Sequence, residues 1–139
     1  MKRAFVADAS VAIGWIHPGQ ATKEAVGMLV AMAEGSSVEV PAIWPLEVAN
    51  ALIVLVRRRK LTDEERVAGL GWMHALPVKV DHDMTALAFT TLSELATTHA
   101  LSVYDAAYLE LARRRKLPLA CADGPLKAAA RRIGVSLWT

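Results

Sequence analysis

Residues 3–15, RAFVADASVAIGW, decide how the rest of the chain is read. Ala4 to Ala7 is an unbroken apolar run that stops at Asp8, and a helix is predicted from Ser10 to Trp15. An apolar run without alternation predicts a strand buried on both faces. His17-Pro18-Gly19 then breaks the helix. Working outward, the same alternation of elements recurs. Ala21–Ala33 is rich in helix formers; Gly35-Ser36-Ser37 turns into a strand at Val38–Val40, closed by Pro41; Ile43–Arg59 is predicted helical. Thr62 and Glu65 have capping-box spacing and open a helix that runs to His74. Pro77–Val80 predicts a third strand, Asp81-His82-Asp83 a loop and cap, Met84–Thr98 and Ser102–Lys116 two helices, and Leu117–Ala122 a fourth strand. After Asp123-Gly124-Pro125 a last helix reaches Arg132, Gly134 ends it, and Val135–Trp138 predicts a short final strand. Strands alternating with helices predict an α/β fold: a central, mostly parallel sheet with helices on both faces, a three-layer α/β/α sandwich.

The 139 residues fit one domain spanning positions 1–139. At that size folding buries roughly two-thirds of the unfolded chain's surface, so neither disulfide nor structural metal is needed for stability. A mean hydropathy of +0.30 supplies ample material for a core. The richest apolar stretch, Val40–Val56, is interrupted by Pro41, Pro45, Glu47 and Asn50, which excludes a membrane span of about 20 apolar residues. The N-terminal MKRAFVADAS has too short an apolar run for a signal peptide. Cys121 is the single cysteine; it excludes an internal disulfide and suits a reducing cytoplasm. A net charge of +2 permits a nucleic-acid partner without requiring one. The distribution says more: Arg57, Arg58, Arg59 and Lys60 form one basic cluster, and Arg113, Arg114, Arg115 and Lys116 another. Both close predicted helices, where cations suit the macrodipole, and both are candidate phosphate contacts.

In open parallel sheets ligands bind beyond the carboxyl ends of the strands. Asp8 and Asp123 fall there, although aspartate is also a favoured N-cap. Glu47 is the one charged residue between Ile43 and Val56, with Asn50 a turn later on the same face. A carboxylate in an apolar helix is costly unless paired or bound to metal. Ser102-Val-Tyr-Asp105 is itself a capping box, so Asp105 has a structural role available as well as a chemical one.

Four segments in order make the acids a pattern: VADASVAIGW with Asp8 and Ser10, PLEVANAL with Glu47 and Asn50, LSVYDAAYLELA with Asp105, and LACADGPLKAAA with Asp123. Together they resemble the PIN-domain family, especially the VapC-like toxins of type II toxin–antitoxin pairs. The resemblance implies a Mg²⁺-dependent endoribonuclease (Mn²⁺ being an alternative) that cleaves RNA to a 3′-hydroxyl and a 5′-phosphate. It also implies a homodimer, and an antitoxin whose C-terminal segment lies across the acidic cleft. One position departs from the family's pattern. A threonine or serine often stands two residues before the last acid, and here Cys121, a weak donor, does.

Converging carboxylates raise one another's pKa unless cations are present, and hard divalent cations take oxygen ligands. Asp8 and Asp105 are the first-choice ligands, with Glu47 and Asp123 completing the site and Ser10 and Asn50 orienting it from behind. Histidine acid–base chemistry would have to use His17, His74, His82 and His99, which share no motif. A haloacid-type phosphatase wants an aspartate where Ser10 stands. The remaining alternatives are an RNA-processing nuclease outside any toxin–antitoxin pair and a catalytically silent RNA- or protein-binding module. Met28, Met32 and Trp44, on helices richer in apolar residues than one stripe needs, are candidate contact residues for a partner.

Overall fold

The structure, a computed structural model, describes residues 3–17, 19 and 21–138. Pro18, assigned above to a helix break, lies outside them. Strands β1 (Ala4–Ala7), β2 (Ser37–Pro41), β3 (Val78–Asp81) and β4 (Leu119–Ala120) form a sheet in the order β3-β2-β1-β4, with every pairing parallel. The helices follow the predicted alternation. Helices α1 (Ala9–Ile13) and α2 (Lys23–Ala33) link β1 to β2, and α3 (Trp44–Arg57) and α4 (Asp63–His74) link β2 to β3. Then come α5 (Met84–Leu87), a π-helical segment (Ala88–Leu92), α6 (Ser93–His99) and α7 (Val103–Arg115) before β4, and α8 (Gly124–Arg132) after it. This is the predicted α/β sandwich.

The central strand behaves as its composition requires: Phe5, Val6 and Ala7 are all buried. At the sheet edge, β3 leaves Lys79 and Val80 exposed. Helix α3 buries Trp44, Val48, Leu52 and Leu55, a stripe at helical spacing. Helix α7 is buried continuously from Ala106 to Ala112, because it packs on β1 and β2 with α6 and α8 beside it. Each leucine fully removed from water there, such as Leu109 or Leu111, contributes roughly 1.5–3 kcal/mol. The capping box at Thr62 forms in both directions. Gly134 takes φ +78° after α8, the conformation expected of a glycine ending a helix.

Four expectations need correction. Met28, Met32 and Trp44 are core residues, 1%, 8% and 4% exposed, so they present nothing to a partner. The exposed apolar side chains of those two helices are Val26, Val30, Leu46 and Ile53. The fourth strand spans two residues, because Pro118 has no N–H to donate and the chain leaves the sheet at Cys121. Val135–Trp138 adds only an isolated bridge, Leu119 to Leu137, supported by backbone bonds of 2.8 and 2.9 Å at Leu119. Asp81 is not in a loop: it ends β3, buried.

Candidate active site

The strand order reverses between β1 and β4: the chain builds outward from β1 to β2 and β3, then returns to the other side of β1. Ligands of open parallel sheets bind at such a switch point, beyond the carboxyl ends of the strands; Asp8 follows β1 and Asp123 follows β4 there. Ala7 pairs with Ala120, and the Asp8 amide donates to the Ala120 carbonyl at 3.0 Å. Each of the four acids sits at a helix start. Asp8 caps α1 and Asp123 caps α8, while Glu47 and Asp105 occupy the first turns of α3 and α7. Helix N-termini carry partial positive charge, which favours carboxylates there.

Capping engages one carboxylate oxygen at each N-cap aspartate. Asp8 accepts from the Val11 amide at 3.0 Å and the Ser10 hydroxyl at 2.7 Å, both on Oδ1. Asp123 accepts from the Leu126 amide on Oδ2 at 2.9 Å. In each case the other oxygen is not used in capping. At Asp105 only half of the capping box forms: the amide donates to Ser102 Oγ at 3.0 Å, with no return bond from the carboxylate to the Ser102 backbone among the described residues.

The acids feel one another. Burial, followed by the charges of Asp105 and Glu47, lifts Asp8 to about 6 in spite of its two hydrogen bonds. Asp105 is raised by burial and then by the charge of Asp123. Burial, with Asp8's charge adding to it, pushes the Cys121 thiol up to about 12, so it stays neutral. Its sulfur lies 4.0 Å from the Asp123 carbonyl oxygen. The α8 backbone, not Cys121, therefore holds the Asp123 side chain. Asn50 is exposed.

Tyr108 was not singled out as a site residue from the sequence. Its hydroxyl donates to Glu47 Oε1 at 2.6 Å. Its place one turn after Asp105 on α7 was the available signal.

The donors are all carboxylate oxygens carrying uncompensated charge, which suits a hard divalent cation. Among the described residues, however, no three His, Cys, Asp or Glu side chains stand together as a ready metal cage.

Elsewhere, Arg114 and Arg115 have another task. Arg114 bonds both oxygens of Asp81 at 2.9 Å and both of Glu110 at 2.9 and 3.1 Å, and Arg115 reaches Asp81 at 2.9 Å. These arginines hold Asp81 well below the usual carboxylate range. Arg57, Arg58, Arg59 and Lys60 are exposed, as are Arg113 and Lys116. The histidines are dispersed: His74 closes α4, His82 follows β3, and His99 closes α6 beside Arg132.

The fold is a VapC-like PIN-domain fold, as comparison with solved structures shows. VapC20 of Mycobacterium tuberculosis, a toxin that cleaves the sarcin–ricin loop, superposes with a TM-score of 0.67 at 19% identity, over 90% of this chain and 94% of that one. VapBC2 of Rickettsia felis, bound to a DNA fragment from its promoter, gives 0.66 at 12% identity, with 96% of each chain covered. FitAcB of Neisseria gonorrhoeae gives 0.64 at 18%, over 97% and 96% of the two chains. No protein-family model matches the chain, and no curated protein matches it.

Proposed function

We propose that the chain is a Mg²⁺- or Mn²⁺-dependent endoribonuclease, the toxin of a type II toxin–antitoxin pair. The observation that carries this is the set of four acids on four helix starts around the β1/β4 switch point, in a fold shared with VapC20. Asp8 and Asp105 would hold the cation most directly, with Glu47 and Asp123 completing the set. A bound divalent cation would supply positive charge for the scissile phosphate and a more acidic water. This chain's residues do the rest. Ser10 and the Val11 amide fix Asp8, the α8 backbone fixes Asp123, and the exposed Arg57–Lys60 run offers contacts to RNA phosphates. No side-chain nucleophile is needed.

The antitoxin partner is proposed from the VapBC2 likeness, and the homodimer from the family resemblance. With Met28, Met32 and Trp44 in the core, Val26, Val30, Leu46 and Ile53 are the large apolar side chains that α2 and α3 leave exposed to meet partners. The test is to express the chain in cells alone and with the adjacent small open reading frame, and to sequence the RNA ends. New 5′-phosphate ends that vanish with Asp8→Asn support the proposal. An unchanged RNA profile in cells making folded protein refutes it. Cleavage without growth arrest or a co-purifying partner would leave a processing nuclease, and RNA binding without cleavage a silent module.

A further inference from the structure

Tyr108 lies one turn beyond Asp105 on the same face of α7. It is 1% exposed, so packing fixes its ring and no water competes for its hydroxyl. That hydroxyl ties α7 to α3 through Glu47, 61 residues away in sequence, at a distance typical of a charge-assisted bond. The hydroxyl is thus a buried donor held against Glu47. Among the described residues, nothing else hydrogen-bonds the Glu47 carboxylate.

We infer that Tyr108 is a positioning residue of the acid cleft, whose hydroxyl pins one oxygen of Glu47 and leaves the other free for a divalent cation. The inference deepens the nuclease reading and rests on it. A glutamate side chain has several rotatable bonds, and ordering it costs entropy. Because the four acids do not stand as a ready cage, the orientation of the most mobile one decides how easily a cation is gathered. Tyr108 meets that cost when the protein folds, before the cation arrives.

The test is a double-mutant cycle on the full chain, with Mn²⁺ alone titrated by calorimetry. Tyr108→Phe keeps the ring and removes the hydroxyl. It should weaken Mn²⁺ binding about tenfold, the low end of the effect of losing a group that orients a metal ligand. In a Glu47→Ala background the same change should do nothing, because no carboxylate remains to be positioned. Undiminished affinity in Tyr108→Phe overturns the inference and leaves the nuclease reading standing. Equal weakening in both backgrounds also overturns it, by making Tyr108 a packing residue. A wild-type chain that binds no Mn²⁺ overturns both readings together. A second readout needs no change at Tyr108: its hydroxyl proton should be protected and visible by NMR in the wild type and lost in Glu47→Ala. Persistence of that signal in Glu47→Ala counts against the inference.

Discussion

Replacing Asp8 with asparagine should stabilise the protein while destroying its activity. Asp8 is 7% exposed, and burial, with Asp105 and Glu47 adding repulsion, raises its pKa from 3.8 to about 6. A carboxyl that holds its proton more tightly in the folded state than in the unfolded one penalises folding once ionised. The penalty is absent below the unfolded pKa, grows as pH rises from about 4 to about 6, and is complete above that. Two pH units correspond to about 3 kcal/mol at most, and relaxation around the charge brings the expected figure to about 1–3 kcal/mol. Asparagine retains an oxygen for the Val11 amide and the Ser10 hydroxyl, so the α1 cap survives. With an unfolding entropy of about 2.1 cal/mol/K per residue, 139 residues convert that gain to a Tm increase of about 3–10 °C. The assay is urea and thermal unfolding in EDTA, at about pH 7.5 and again near pH 4, where most of the difference should vanish. An Asp8→Asn protein less stable than wild type at neutral pH, or a difference that ignores pH, would refute the reasoning.

Other expectations concern the surroundings of the cleft. Arg114→Ala should cost about 2–3 kcal/mol at neutral pH, because it strips Asp81 and Glu110 of their main partner where both are buried. Asp81's depressed pKa makes that contribution full above the ordinary carboxylate range and lost in strong acid, so the gap between variant and wild type in urea melts should narrow on acidification. Changing Arg57, Arg58 and Arg59 together to alanine should leave the melts unchanged and lower the salt slope of RNA binding by about 2 if all three meet phosphates of a single strand; an untouched slope would make this run a helix end only. Magnesium should raise the Tm of wild type and not of Asp8→Asn, since a ligand stabilises only the state that binds it.

Much of the fold was legible because its signals are local. The unbroken apolar run before Asp8, the Thr62 capping box and the lone charge at Glu47 each need only a few neighbouring residues to be interpreted. Asp8 and Asp123 could be placed at one end of the sheet because parallel topology fixes where strand ends meet. What escaped depends on distant contacts. Nothing near Arg114 announces Asp81, 33 residues before it, so the basic run resembled a free cluster. Trp44 and the two methionines looked too apolar for one buried face, yet all three belong to the single main core. The helix predicted over Met84–Thr98 carries a π-helical segment at Ala88–Leu92, for which the local residues give no signal. The hydroxyl of Tyr108 finds Glu47 only once α3 and α7 are packed together.

The central claim is that the acids act through a divalent cation on RNA. The most direct test is cleavage of a total RNA pool by purified wild-type chain in Mg²⁺, in EDTA, and in EDTA followed by excess Mn²⁺, with Asp105→Asn run in parallel. The account requires cleavage in Mg²⁺, none in EDTA, recovery with Mn²⁺, and at least a roughly 100-fold loss in the variant, beyond the effect of losing a group behind the ligands. Undiminished cleavage in EDTA would contradict it and return the chemistry to the histidines.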